Sequence, residues 1–182
     1  MLIIIRNMTG GEDVAPNATV SVDLGSGPHP RNPFNAEECV GLDSVELPGV
    51  IRCRLGYEQI PLPDSSVDYV TAYDCIEHVP RAGYTLDEGR LEPFNPFIYL
   101  MSEIWRILRP NGVFYAFTPV YPHKEAFRDP EHVNIITDDS WEYFAGSMLP
   151  LTQQYGFTGT FKPRAEQLFQ GAHVIWDWIA IK

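Results

Sequence analysis

Basic residues are scarce in this chain of 182 residues. Thirteen lysines and arginines stand against 24 aspartates and glutamates, a formal charge of −11. A nucleic-acid backbone is recognised by clustered cations, and no basic run occurs, so nucleic acid is not expected as a partner. Long apolar runs are missing too. Leu2-Ile3-Ile4-Ile5, at the start, is too short for a secretory h-region or a membrane span, so no membrane partner is expected. Cysteine is sparse: Cys39, Cys53 and Cys75 form no CxxC and no metal-ligand spacing, so no metal is expected. An odd number of scattered thiols fits a reducing compartment, hence a cytoplasmic location. Internal repeats and low-complexity linkers are also absent, which makes residues 1–182 one expected domain.

What is present reads as globular, at 45% hydrophobic and 13% aromatic. Residues 19–24 form a short β-branched strand ended by glycines. Further strands are expected at 38–42, 50–55, 67–73 ("VDYVTAY") and 113–118 ("VFYAFT"). Between the last two, Phe97, Leu100, Met101, Ile104, Trp105, Ile107 and Leu108 recur at helical spacing, which predicts a helix over 96–108 that stops before Pro110. Thr137 to Ser140 would cap a second helix over 140–149. Late strands are expected at 157–161 and 173–181. Such alternation predicts an α/β fold with a Rossmann-like, mostly parallel sheet, helices on both faces and a C-terminal antiparallel β-hairpin. The aromatics of "HVIWDWIAI" are read as core.

A sheet of this kind binds ligands at the carboxyl ends of its strands. The first strand ends in Asp23, Gly25, Ser26 and Gly27, the second in Asp43, the fourth in Asp74, Cys75, Glu77 and His78. Asp43, 18 residues after Gly25, is placed to take both hydroxyls of a ribose. A nicotinamide fingerprint would need a third glycine at position 30, which is Pro30, so that reading fails on spacing. Pro28, Pro30 and Pro33 also speak against a helix after the glycines. An extended loop is expected instead.

The pieces "VDLGSG", "VGLD", "IPLPDSSVDYVTAYDCIEHV" and "MSEIWRILRPNGVFYAFTP" follow one another from about Val20 to Pro119. In this order they resemble a class I S-adenosylmethionine-dependent methyltransferase. "EAFRDPEHVNIIT" is similar to small bacterial methyltransferases of glycan and secondary-metabolite clusters.

The resemblance implies S-adenosylmethionine as cofactor, with Gly25, Ser26 and Gly27 against its methionine and ribose part. Asp23 would order that loop or reach the cofactor amine through water, or merely cap the turn. Asp43 would hold the ribose. Gly56 stands where relatives often carry a carboxylate that reads adenine, so backbone groups near Tyr57 and Glu58 would serve. Asp74 to His78 would line the sulfonium, with Glu77 either there or simply opening the next helix. The sequence departs from the family at His29, where a third glycine is usual, and in the missing first helix. Arg31 is the nearby cation that could meet the methionine carboxylate, unless it pairs with Glu37. The usual N-terminal helix is not visible before Val20, so a lid would be small or come from a partner, and a homodimer is an expectation.

Because the cofactor methyl is already activated, the protein mainly aligns the nucleophile and removes water. The expected acceptor is a small molecule, foremost a hydroxyl of a sugar or glycan precursor. A hydroxyl needs a base. His132 leads, oriented by Asp129 or Glu131, followed by His78 and Asp74. His132 could equally tie down its loop. The other reading is a catalytically silent cofactor-binding or accessory protein of the same fold. Cys75 is read as a small buried hydrophobe.

Overall fold

The computed structural model describes residues 18–87 and 89–182. The expectations about residues 1–17 (the short apolar run and the family's usual N-terminal helix) lie outside them.

One sheet organises the chain. β1 (Val20–Leu24), β2 (Glu38–Asp43), β3 (Val50–Arg52), β4 (Val67–Tyr73) and the long β7 (Leu108–Pro119) run parallel. β8 (Phe161–Pro163), β9 (Leu168–Gln170) and β10 (His173–Ala180) add antiparallel pairing. The order across the sheet is β3-β2-β1-β4-β7-β10-β8, with β9 also paired to β10. This is the Rossmann-like parallel sheet with a C-terminal antiparallel hairpin, and no helix follows the glycine loop among the described residues.

Alternation assigns the two faces. Val22 registers with Val40 and Val70, and Leu24 with Leu42 and Ala72. Together with Phe114, Ala116, Trp176 and Trp178 they form one buried cluster, so the late tryptophans are core. Helix α1 (Pro96–Ile107) drives Leu100, Met101, Ile104 and Ile107 into this cluster, each with no exposed surface. Its start is set by Asn95, whose side chain accepts from Ile98 N at 3.0 Å, and by Pro96 in the first turn. Glu103 and Arg106 fasten its outer end. Glu103 accepts from Ile60 N at 2.8 Å, and Arg106 reaches Glu103, Asp64, Leu62 O and Ile60 O. The shorter α2 (Glu142–Ala145) and α3 (Leu149–Gln154) add Phe144 and Leu149 to the same cluster. The opposite face carries the loop 28–37, with Phe34 stacked on Tyr69 at 4.4 Å.

Several boundaries differ from the sequence expectation. Strand 50–55 shortens to β3: Cys53 N makes a last bond to β2, at Asp43 O, 2.8 Å, and the chain turns at Arg54, whose carbonyl accepts from Tyr57 N and Glu58 N. The helix expected over 140–149 is split. The backbone is extended at Gly146, and Pro150 lies in the first turn of α3. The strand expected at 157–161 begins only at Phe161. β7 starts immediately after α1, because Arg109 to Gly112 bulge out between the pairs Val67–Leu108 and Tyr69–Val113, with Asn111 at φ 62°. A hairpin of β5 (Gly83–Asp87) and β6 (Arg90–Phe94) forms a separate two-stranded sheet.

Candidate functional site

The carboxyl ends of β1, β2 and β4 enclose a cavity of about 340 Å³. Gly25, Asp43, Arg54, Tyr57, Asp74 and His78 are among its walls. A wider groove of about 640 Å³ lies alongside, lined by Arg31, Asn32, Tyr73, Tyr115, Phe117 and Gln170, with Asp74 common to both.

The glycine loop has to be glycine. Gly25 and Gly27 take φ of 65° and 56°, and a Cβ on Gly25 would stand 2.9 Å from Cys75 Sγ. A Cβ on Gly27 would meet nothing, so its backbone is open to a ligand. Ser26 turns downward, its hydroxyl donating to Gly27 O at 2.9 Å and packing over Gly41. Asp43 braces the loop: one oxygen accepts from Gly27 N at 2.9 Å, the other from Val45 N at 3.0 Å. Each carboxylate oxygen has a second lone pair, so ribose hydroxyls can still be accepted. The open glycine backbone beside a half-buried carboxylate fits a nucleoside cofactor.

Asp23 does not face the cavity. It is 2% exposed, accepts from Thr71 Oγ1 at 2.6 Å and Arg31 N at 2.8 Å, and thereby orders the loop 28–33. Burial raises its pKa, outweighing those hydrogen bonds and the Arg31 charge. Arg31 forms no ion pair among the described residues. Glu37 accepts from Thr19 N instead, and the Arg31 guanidinium lies over the Tyr73 ring at 4.5 Å, in the groove. His29 is exposed.

On the side expected to take adenine, two backbone N–H groups are already engaged. The N–H groups of Tyr57 and Glu58 both donate to Arg54 O at 2.9 Å, so they are not free to read a base. The Glu58 carboxylate faces Arg54 N and Arg52. Gly56 is required by packing: a Cβ there would sit 2.7 Å from Val79 Cγ1 and 2.9 Å from Pro96 O. The wall left for a ring is Tyr57, with Arg54 stacked on it at 5.2 Å. Arg54 carried no signal in the sequence.

The turn after β4 holds the remaining candidates. Asp74 adopts φ 47°, a left-handed conformation that costs about 1 kcal/mol or more for a residue with a side chain. Its N–H donates to Phe117 O at 2.9 Å, and its Oδ1 meets His173 Nε2 at 2.9 Å. Cys75 is buried and its thiol is pushed far up by desolvation, an inert filler under Gly25. Glu77, His78 and His132 come together, the two imidazole rings edge to face at 4.8 Å. Of the acids expected to orient His132, Asp129 is engaged elsewhere. Asp129 accepts from Glu131 N, and the carboxylate near His132 is Glu77. His123 is an exposed loop residue.

Residues 35–116 match the family model described as "Methyltransferase domain". A chain of the complex between the Haloferax volcanii Trm112 methyltransferase activator and a methyltransferase is similar in fold. Its TM-score is 0.56 at 14% identity, over 98% of this chain and 89% of that one. The PH0226 protein from Pyrococcus horikoshii matches at TM-score 0.54 and 18% identity, over 91% and 83%. A SAM-dependent methyltransferase from Aquifex aeolicus matches at 0.52 and 14%, over 90% and 82%. No curated protein matches the sequence. Residues 35–116 thus match a methyltransferase domain, and the chain as a whole shares the fold of these solved structures.

Proposed function

We propose that this protein transfers a methyl group from S-adenosylmethionine to a hydroxyl of a small-molecule acceptor, foremost a sugar or glycan precursor. The observation that carries this reading is the position of Asp74, shared by the cavity that suits the nucleoside and by the groove that suits the acceptor.

Bound in the cavity, the cofactor supplies an electrophilic methyl on a sulfonium. Asp43 holds the ribose hydroxyls, Gly25 and Gly27 admit the chain beside them, Tyr57 backs the base, and Arg31 meets the carboxylate from the groove. The groove offers the rings of Tyr73, Tyr115 and Phe117 with Asn32, Asp74 and Gln170 among them. Flat apolar faces with polar groups between them suit a sugar ring, whose C–H faces and hydroxyls alternate. Asp74 takes the hydroxyl proton, with His173 fixing its orientation, while His78 and His132 stand on the cavity side. Alignment of the two partners supplies most of the acceleration, on the order of 7–11 kcal/mol in favourable cases.

One domain, free thiols at Cys39, Cys53 and Cys75, and the lack of any helix long and apolar enough to cross a membrane among the described residues fit the proposed cytoplasmic location. A homodimer is also proposed, and sedimentation checks it.

Turnover of labelled S-adenosylmethionine with a panel of sugar, phenol, amine and carboxylate acceptors tests the reading. Product from a hydroxyl acceptor supports it. Product only from amines or carboxylates overturns the acceptor assignment. Tight cofactor binding with no turnover on any acceptor favours the silent accessory protein.

A further inference from the structure

Glu77 and His78 lie on the short turn Ile76–His78, and His132 on the loop that follows Asp129. Each offers one ligand atom, and these three atoms lie within 4.8 Å of one another. The loop is fastened to the turn. Val133 N and Asn134 N donate to Glu77 O at 3.0 and 2.9 Å, Asn134 Nδ2 donates to Ile76 O at 3.1 Å, and Arg81 holds Asn134 Oδ1. Glu77 is 1% exposed. Its Oε2 accepts from Thr118 Oγ1 at 2.8 Å, but its Oε1 is buried with no hydrogen-bond partner, as is His132 Nδ1. Two buried polar atoms left over on residues of one cluster are costly unless something satisfies both.

We propose that Glu77, His78 and His132 hold a divalent transition-metal ion, of the zinc, manganese, cobalt or ferrous class, at the wall of the cofactor cavity. Two imidazoles and one carboxylate suit such ions better than magnesium or calcium, which prefer all-oxygen shells. Three ligands at about 2.0–2.2 Å from one ion stand about 3–3.8 Å from one another, so from separations of up to 4.8 Å the side chains need close by about 1 Å or somewhat more, within the reach of rotations of the two imidazoles. Thr118 fixes the carboxylate from behind, as outer partners of metal ligands do. His78 also lines the cavity, which leaves coordination positions open on that side.

The site itself stands on these three side chains. Its role in turnover rests on the methyl transfer proposed above. A hydroxyl bound to the ion ionises more readily. Its O–H bond breaks, Asp74 takes the proton, and the oxygen forms the new bond to the methyl carbon as the sulfur–methyl bond breaks. The sulfur keeps that electron pair, and nothing is oxidised or reduced.

The test uses untagged full-length protein, stripped with a chelator, loaded with cobalt(II), desalted, and measured by elemental analysis and visible absorption. About one ion per chain with a ligand-field band is expected. Glu77→Gln and His132→Ala should each weaken cobalt affinity by at least the ~10–100-fold that even outer-shell changes cost. Both should leave S-adenosylhomocysteine affinity within about twofold by calorimetry. His132 is only half buried, so its variant keeps the test open should the Glu77 change unfold the chain. No ion retained by the wild type, or equal retention by the wild type and folded His132→Ala, overturns the proposal. A wild type that binds S-adenosylhomocysteine but retains no ion overturns this site alone, and a wild type that retains the ion but binds no S-adenosylhomocysteine overturns the cofactor reading alone.

Discussion

His173 Nε2 stands 2.9 Å from Asp74 Oδ1, joining the first residue of the last strand to the turn after β4 across 99 positions of sequence. The contact is fixed by the sheet, because His173 registers with Pro119 on β7, and Phe117 stacks on the His173 ring at 4.1 Å while its carbonyl accepts from Asp74 N. An antiparallel strand thus positions a carboxylate that belongs to the parallel half.

Asp74→Asn keeps an oxygen for His173 and removes the base. Its kcat on a hydroxyl acceptor should fall by ~10²–10⁴, with S-adenosylhomocysteine affinity nearly unchanged. His173→Gln can still donate to Asp74 and should fall less than His173→Ala. Steady-state kinetics of the three variants check this. An unaltered kcat in Asp74→Asn would remove Asp74 from the reaction.

Arg31→Ala should weaken S-adenosylmethionine and S-adenosylhomocysteine by roughly tenfold or more, the worth of a charged hydrogen bond of about 1.5–3 kcal/mol. Adenosine, which has no carboxylate, should bind as before. Equal losses for all three ligands would make Arg31 a structural residue whose side chain only steadies the loop by packing over Tyr73.

Much of the sheet was legible because its signal is local. β1, β4, the inner part of β7 and α1 show their periodicity within a few residues, and the buried faces follow it. The β5–β6 hairpin escaped because Tyr84, Leu86 and Leu91 are each about 70% exposed, so no alternation of burial marks it. The second helix was misjudged where Gly146 turns extended. In the site, the glycine loop and Asp43 were legible from spacing. The His173 partner of Asp74 and the meeting of Glu77 with His132 depend on strand order and loop docking, which spacing does not carry. Of the readings open for Asp23, ordering the loop, reaching the cofactor amine through water or capping its turn, the contacts with Thr71 and Arg31 N fit the first.

Burial raises the pKa of Asp23, so the folded chain binds that proton more tightly than the unfolded chain. The residue's contribution to stability is therefore fullest below the ordinary aspartate pKa, near 4, and declines as pH rises through the folded value. Asn at this position can place its oxygen toward Arg31 N and its amide toward Thr71 Oγ1, with no charge to desolvate. Urea midpoints of wild type and Asp23→Asn, compared from pH 4 to 8, should shift in favour of the variant as pH rises. A difference independent of pH would contradict the burial argument.

Arg106 contacts Glu103, Asp64 and two carbonyls, and Glu103 is nearly buried. Arg106→Ala leaves that carboxylate uncompensated and should cost about 3–5 kcal/mol of stability. Replacing Arg106 and Glu103 together by apolar residues should cost less. Denaturant unfolding of the single and double variants measures the difference, and additive losses would mean that the pair is not coupled.

The central claim is that the cavity between the glycine loop and Asp43 holds the cofactor. Isothermal titration of S-adenosylhomocysteine into wild type and Asp43→Ala tests it most directly, with circular dichroism of both to confirm folding. One site per chain is expected, with an affinity at least ~10-fold weaker in the variant, where about 1.5–3 kcal/mol of charged hydrogen bonding is lost. Equal affinity in a folded variant, or no binding heat in the wild type up to about 1 mM ligand, would contradict it.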